Sequence, residues 1–99
     1  MGGWTYILAS APYGTLYVGV TSNISRRVFE HREDAGSAFC RKYGVRRLVH
    51  SEPFENISHA IHREKRLKKW PRAWKIRLIE ETNPTWSDLY ETILEWGPL

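Results

Sequence analysis

Residues 4–21 read WTYILASAPYGTLYVGVT, two runs rich in β-branched and aromatic residues on either side of a segment with Pro and Gly. Such runs favour strands over 4–9 and 15–21, and the Pro and Gly between them are typical of a hairpin turn. A four-residue loop over 10–13 would pair Ala9 with Gly14 and therefore place Tyr6 opposite Tyr17. A slip of one residue would send the two phenols to opposite faces of the sheet, so this register is a hypothesis.

Downstream of the hairpin, capping residues and apolar periodicity predict one further strand and several helices. The first predicted helix runs from a cap at Ser22 or Asn23 to about Asp34, and it is followed by a loop over 35–44 with one helical turn ending at Gly44. A strand over 45–50 comes next. Three helices follow: one from Asn56 to about Trp70, one from Pro71 to Glu81, and a short one capped by Thr85 or Ser87. The order β-β-α-β-α-α-α predicts an α/β fold with a small three-stranded antiparallel sheet flanked by helices. We expect one domain over residues 1–99.

The composition excludes several classes of protein. The chain has 99 residues, of which 41% are hydrophobic and 26% charged, as in ordinary globular domains. No apolar run approaches the roughly 18 residues that a membrane span needs, so no membrane association is expected. Cys40 is the only cysteine, which excludes an intrachain disulfide and a multi-cysteine metal site. We therefore expect a reduced, cytoplasmic protein.

The positive charge is concentrated in two segments of the chain. The net charge is +4, and residues 63–77 carry eight bases and one acid, while a second basic cluster lies over 41–47. A basic run can be a solvated helix face, but two runs with interleaved aromatic rings favour a nucleic acid, whose phosphates bind cations and whose bases stack on rings. The candidate nucleic-acid-binding residues are Arg41, Lys42, Tyr43, Arg63, Lys65, Lys68, Lys69 and Trp70.

Glu64 is the one acid in the basic run over 63–77. It lies at helical spacing from Ala60, Ile61 and Leu67, in an apolar stripe where an unpaired carboxylate is costly. One interpretation is that Glu64 ends the stripe or pairs with a buried Arg. The other is that its carboxylate holds a hard divalent cation while the surrounding bases hold phosphates.

A second group of polar residues lies near the N-terminus: Tyr6, Tyr17, Arg27 and His31. Strand tyrosines are usually half-buried packing residues with a hydrated hydroxyl, and a single Arg or His on a helix is usually a surface group. Arg27 and His31 are four residues apart and share one helix face. His59 and His62 lie on another segment and are expected to face solvent.

These residues carry a resemblance to a known family. Two tripeptides resemble the paired motifs of the GIY-YIG nuclease superfamily: Trp4-Thr5-Tyr6 and Tyr17-Val18-Gly19. In this resemblance Tyr6 and Tyr17 correspond to the tyrosines of the two motifs. The family has an Arg ten residues after the second Tyr, a His one turn later, and a metal-binding Glu in a later helix. These are matched by Arg27, His31 and Glu64, and Asn83 is a candidate for an Asn often found downstream.

The chain departs from the family pattern at two places. Trp4 and Thr5 replace the Gly and Ile of the first tripeptide, and Val20 stands where excision-repair relatives carry a Lys. The strings at 14–21 and 83–90 resemble short stand-alone bacterial members.

The resemblance implies an endonuclease that hydrolyses DNA phosphodiester bonds with one Mg²⁺ or Mn²⁺ held by Glu64 and leaves a 5′ phosphate and a 3′ hydroxyl. In this interpretation Arg27 stabilises charge on the phosphoryl group and Tyr17 is the base. Tyr6 and His31 would orient water or pass on the proton. Single-stranded DNA and structured duplex are both possible substrates, and a monomer is the default expectation. The alternative is a catalytically inactive nucleic-acid-binding module with the same basic, aromatic surface.

Overall fold

The structure, a computed structural model, describes residues 1–33 and 36–95. Its strands are β1 (Gly3–Ala9), β2 (Leu16–Thr21) and β3 (Arg47–Phe54), and its helices are α1 (Ile24–Arg32), α2 (Ala38–Tyr43), α3 (Ile57–Lys69), α4 (Arg72–Thr82) and α5 (Tyr90–Glu95). The strands form one antiparallel sheet in the order β2-β1-β3. The predicted three-stranded sheet flanked by helices is confirmed. The predicted helical turn before Gly44 is the helix α2.

The predicted hairpin register is wrong by two residues. Tyr6 lies opposite Gly19, and Tyr17 lies opposite Leu8. The loop spans residues 10–15 because Ser10 and Thr15 close it: the Ser10 amide donates to the Thr15 carbonyl at 3.0 Å, and the Thr15 amide donates to the Ser10 hydroxyl at 2.9 Å. A shift of two residues keeps the side-chain alternation, so Tyr6 and Tyr17 still share one face of the sheet.

Most predicted helix ends are confirmed by their capping bonds. Asn23 accepts from the Arg26 amide at the start of α1, and Asn56 accepts from the Ser58 amide at the start of α3. Gly44 ends α2 with φ 65°, a left-handed conformation that glycine adopts without strain. Helix α1 ends at Arg32, and Asp34, the predicted end, lies outside the described residues.

Two boundaries differ from the prediction. Strand β3 begins at Arg47 and continues to Phe54, because β1 offers pairing partners as far as Gly3. The side chain that caps α5 belongs to Asp88, whose carboxylate accepts from the Tyr90 amide at 3.1 Å. Thr85 and Ser87 do not cap it, since their hydroxyls are hydrogen-bonded to each other at 2.8 Å.

The sheet separates two hydrophobic clusters. On one face, Tyr6 and Leu8 pack with α1, α2 and α5 through Val28, Cys40 and Ile93. On the other face, alternate residues of the strands pack with α3 and α4, a cluster formed by Ile7, Ala9, Val18, Val49, Leu67, Ile79 and Trp86. The candidate tyrosines therefore belong to the first face, and the helix that carries Glu64 covers the second. Within the described residues, no helix has the length and apolar character to cross a membrane.

Candidate active site

Three of the sequence-predicted residues meet on the first face of the sheet. The ring centroids of Tyr6 and Tyr17 are 6.4 Å apart, and those of Tyr17 and His31 are 5.5 Å apart. The hydroxyl of Tyr6 lies 3.3 Å from Nε2 of His31, within hydrogen-bonding distance. We call Tyr6, Tyr17 and His31 the tyrosine–histidine cluster.

Two glycines make room for this cluster. A Cβ at Gly19 would lie 2.5 Å from Cζ of Tyr6, so the Tyr6 ring can cross β2 only over a residue without a side chain. A Cβ at Gly36 would lie 2.6 Å from Nδ1 of His31. Sequence reasoning missed both as site residues. The alternation of Tyr17 and Gly19 was the available signal for the first, whereas Gly36 has no local pattern that marks it.

Replacing Gly19 with alanine is expected to lower the free energy of unfolding by about 1–3 kcal/mol, because Tyr6 is fully buried and its ring cannot yield to the new methyl group. Urea unfolding measures this cost. In a Tyr6→Leu background the ring is gone, and the same substitution should cost markedly less. Equal costs in the two backgrounds would show that Gly19 does not serve the Tyr6 ring.

The protonation states within the cluster follow from burial. Burial raises the pKa of Tyr6 well above its ordinary value, and the positive charge of Arg27 offsets only part of this effect. Burial and the same Arg27 charge lower the pKa of His31, against the opposing effect of Glu30. At neutral pH Tyr6 is therefore a phenol and His31 a neutral imidazole, so the Tyr6 hydroxyl can donate to the imidazole.

Arg27 lies beside the cluster at the boundary with solvent. Its side chain is 43% exposed, and its Nε lies 3.4 Å from a carboxylate oxygen of Glu30. Together with Arg26 and Glu30 it lines a polar cavity of about 190 Å³ at the start of α1. A half-exposed guanidinium next to two buried ionisable side chains can meet an anion that approaches from solvent.

Glu64 is mostly shielded, and its partner is a lysine. Its side chain is 14% exposed, and one carboxylate oxygen lies 3.0 Å from Nζ of Lys68, whose side chain is 53% exposed. The structure therefore contradicts the interpretation that Glu64 pairs with a buried Arg. Ala60 and Leu67 are buried as predicted, whereas Ile61 is 38% exposed and lies off the buried stripe.

Helix α3 packs across β1 and β2 on the second face of the sheet. The hydroxyl of Thr5, which pairs with Val20, donates to the Ala60 carbonyl at 2.7 Å, and Leu67 packs in the same cluster as Val18. Glu64 is one helical turn from Ala60 and from Leu67, so it lies on the part of α3 that covers this face of the sheet, opposite the Tyr6 ring.

Arg63 forms an ion pair with a carboxylate of strand β3. Its guanidinium donates to both carboxylate oxygens of Glu52 on β3, at 2.8 and 3.0 Å, and lies 5.0 Å above the Trp70 ring. Burial raises the pKa of Glu52, but hydrogen bonds and charge from His50 and Arg63 outweigh it and hold this pKa at about 2. The Glu52 carboxylate therefore already binds the Arg63 guanidinium, whereas Glu64 pairs with Lys68.

The remaining predicted nucleic-acid contacts fall in separate regions. Lys65, Lys68 and Lys69 are exposed along α3. Trp70 and Trp74 have ring centroids 5.7 Å apart and line a cavity of about 310 Å³ with Arg77, Leu78 and Glu81. Lys42 and Tyr43 lie on α2, with Nζ of Lys42 5.3 Å from the Tyr43 ring centroid, and Arg41 is exposed beside them.

Sequence reasoning missed Phe39 on α2. Its ring stacks beside Tyr17 with centroids 6.1 Å apart and lies 4.8 Å from the Tyr43 ring. The spacing of four residues between Phe39 and Tyr43 was the available signal, once a helix over this segment was known.

The side chain of Asn83 connects the turn before α5 to strand β3 through hydrogen bonds. It is buried, its amide donates to the carbonyls of Val49 and Ser87 at 3.1 and 2.9 Å, and its oxygen accepts from the Ser87 amide at 3.0 Å. These bonds hold the turn before α5 against β3. They occupy both polar atoms of the side chain.

The donor set fits a hard divalent ion with water ligands. Within residues 1–33 and 36–95 no three His, Cys, Asp or Glu side chains are grouped as they are in a closed metal site. Mg²⁺ and Mn²⁺ accept a single carboxylate and retain several waters, whereas a zinc site needs three or four protein ligands. The shielded carboxylate of Glu64 is the residue that fits such an ion here.

Comparisons with known proteins agree with this fold. A family model described as the GIY-YIG catalytic domain matches residues 2–77. A UPF0213 protein of Natronomonas pharaonis is 40% identical over 78 residues, which are 79% of this chain and 91% of that protein. One of Syntrophus aciditrophicus is 37% identical, over 82% of this chain and 92% of that protein. The solution NMR structure of a UPF0213 protein from Bacillus halodurans matches with a TM-score of 0.55 at 27% identity, over 89% of this chain and 93% of that one.

Proposed function

Because this chain belongs to the GIY-YIG catalytic domain family, we propose that it is a divalent-metal-dependent endonuclease that hydrolyses DNA phosphodiester bonds and leaves a 5′ phosphate and a 3′ hydroxyl. The observation that carries the proposal is the tyrosine–histidine cluster, in which Tyr6 crosses β2 over Gly19 to meet His31, with Arg27 at the solvent boundary. Such a cluster combines proton-transfer groups with a cation that can hold a phosphate.

Each side chain has a task that its environment permits. Arg27 holds the scissile phosphate and stabilises the charge that develops on its oxygens, for which a planar guanidinium is well suited. Tyr17, the half-buried tyrosine of the pair, acts as a phenolate. Its phenolic proton passes to the neutral imidazole of His31, and the phenolate then accepts the proton of the attacking water. Tyr6 remains a phenol that is hydrogen-bonded to His31, so these two side chains orient the water or pass on the proton.

Glu64 would hold the metal ion through its mostly shielded carboxylate. A bound Mg²⁺ or Mn²⁺ supplies Lewis-acid stabilisation of the departing 3′ oxygen. Helix α3 and the tyrosine–histidine cluster pack on opposite faces of the sheet next to its edge strand β2. The exposed lysines of α3, Lys65 and Lys69 among them, flank Glu64 and attract the phosphates on either side of the cut.

Cleavage of end-labelled single-stranded and duplex DNA, with Mg²⁺, Mn²⁺ or a chelator, tests this function. We expect internal cuts in the presence of either ion and none with the chelator. A nick left in a duplex should be sealed by DNA ligase without kinase treatment, because ligase needs a 5′ phosphate beside a 3′ hydroxyl. Metal-independent cutting would contradict the proposal. DNA binding without cutting would instead support the alternative of a catalytically inactive binding module.

A further inference from the structure

A series of aromatic rings leads from the cluster to the protein surface along α2. Phe39 stacks beside Tyr17 with an interplanar angle of 30°, and the Phe39 and Tyr43 centroids are 4.8 Å apart. Phe39 is 43% exposed and Tyr43 is 49% exposed. The series therefore begins at a half-buried candidate catalytic tyrosine and ends at two large, half-exposed rings.

Helix α2 does not need these two rings to anchor it in the hydrophobic core. The side chain that anchors the helix in the core is Cys40, which is 2% exposed, while Ser37 caps its start and Gly44 ends it. Large apolar side chains grouped at a surface next to a site usually mark a binding surface.

The charge around the two rings indicates the partner. Nζ of Lys42 lies 5.3 Å from the Tyr43 ring, and Arg41 is exposed on the same helix. Residues 35–51 carry four bases and no acid. Rings beside cations suit a nucleic-acid strand, because bases stack on the rings and phosphates bind the cations.

We propose that Phe39 and Tyr43 form a stacking platform for the nucleobase next to the phosphate that is cut. This inference rests on the proposed function, to which it adds a determinant of substrate position. Phe39 takes the base nearest the cut because its ring stacks beside Tyr17. Lys42 contacts the backbone next to Tyr43. The base on the platform must be unstacked from its neighbour in the strand, so the platform acts where the strand is unpaired or distorted.

Binding of a fluorescent single-stranded oligonucleotide, measured by anisotropy with a chelator present, tests the platform without any cutting. Phe39→Ala is expected to raise Kd by roughly 5- to 150-fold, the range that corresponds to the loss of one base–aromatic stack. Phe39→Leu keeps an apolar cover over Tyr17 but has no ring face, so it should bind as weakly as Phe39→Ala. Phe39→Tyr should bind as wild type does.

Phe29→Ala is the matched control. Phe29 is 52% exposed on α1, two residues from Arg27 and from His31 and therefore on the opposite side of that helix. It should bind as wild type does. Unchanged binding by Phe39→Ala, or wild-type binding by Phe39→Leu, would overturn the platform.

An abasic nucleotide moved along the oligonucleotide locates the stacked base. For the wild-type protein, one abasic position should lower the affinity more than any other. For Phe39→Ala, the oligonucleotide with that abasic position should bind almost as well as the intact one, because the substitution has already removed the same contact. Additive losses at every position would overturn the assignment. If the wild-type protein does not cut with Mg²⁺ or Mn²⁺, the proposed function fails, while the binding measurements still decide the platform.

Discussion

Glu64→Ala is expected to abolish divalent-dependent DNA cleavage and to leave DNA binding intact or tighter. If Glu64 holds the ion, its loss removes the stabilisation of the leaving oxygen, which a water ligand cannot replace. The substitution also removes a negative charge from the basic run over 63–77, so phosphates should bind at least as well. Cleavage and binding are measured separately, the first with Mg²⁺ and the second with a chelator.

Stability should change little in this variant. The partner of Glu64 is Lys68, whose side chain is 53% exposed, and an ion pair of this kind contributes at most about 1 kcal/mol. Alanine is also the best helix former. A buried arginine left without its carboxylate would have cost about 3–5 kcal/mol, so thermal melting distinguishes the two situations.

Lys68→Ala is the control for Glu64→Ala. It breaks the same ion pair but keeps the carboxylate, so it should retain divalent-dependent cleavage. Because Lys68 is also a candidate phosphate contact, the two variants are compared at saturating DNA. Wild-type cutting by Glu64→Ala would contradict the metal assignment, and so would unfolding of that variant. Equal loss of cutting in both variants would assign the effect to the ion pair rather than to metal binding.

Side-chain periodicity carries most of what could be predicted of the fold. Alternation in the two N-terminal strands places Tyr6 and Tyr17 on one face whether the loop spans four residues or six, because a shift of two preserves the face. The register itself depends on the hydroxyl and amide of Ser10, which bond to Thr15 across the loop. Composition shows that a turn is present there but does not give its length.

Contacts between distant segments could not be predicted in this way. Helical spacing placed Glu64 beside the buried residues Ala60 and Leu67, yet the same spacing gave no sign that Glu52 on β3 would take Arg63. Phe39 and Gly36 belong to the site because α2 and the preceding loop fold against Tyr17 and His31. A single sequence records residue types along the chain, whereas these contacts depend on how the helices pack on the sheet.

Tyr17→Phe is expected to slow DNA cleavage by about 10²–10⁴-fold, the usual effect of removing a general base. Loss of one half-buried hydroxyl should cost no more than about 1 kcal/mol in the free energy of unfolding. Single-turnover cleavage with Mg²⁺ measures the first effect, and urea unfolding measures the second. Tyr43→Phe is the matched control, because it also removes one phenolic hydroxyl and keeps the ring. Tyr43 belongs to the same aromatic series and is 49% exposed, so this variant should cut DNA at a rate near that of wild type.

The Tyr17→Phe result also decides among the members of the cluster. Tyr6 is a poor candidate for the base, since burial raises its pKa and keeps it protonated at neutral pH. His31 is the alternative, because burial and the nearby charge of Arg27 lower its pKa and leave it neutral. If Tyr17→Phe cuts at the wild-type rate, the proton passes to His31. In that case His31→Ala should show the large loss, and cleavage should fall as the pH drops through the lowered pKa of His31, because protonation removes the acceptor.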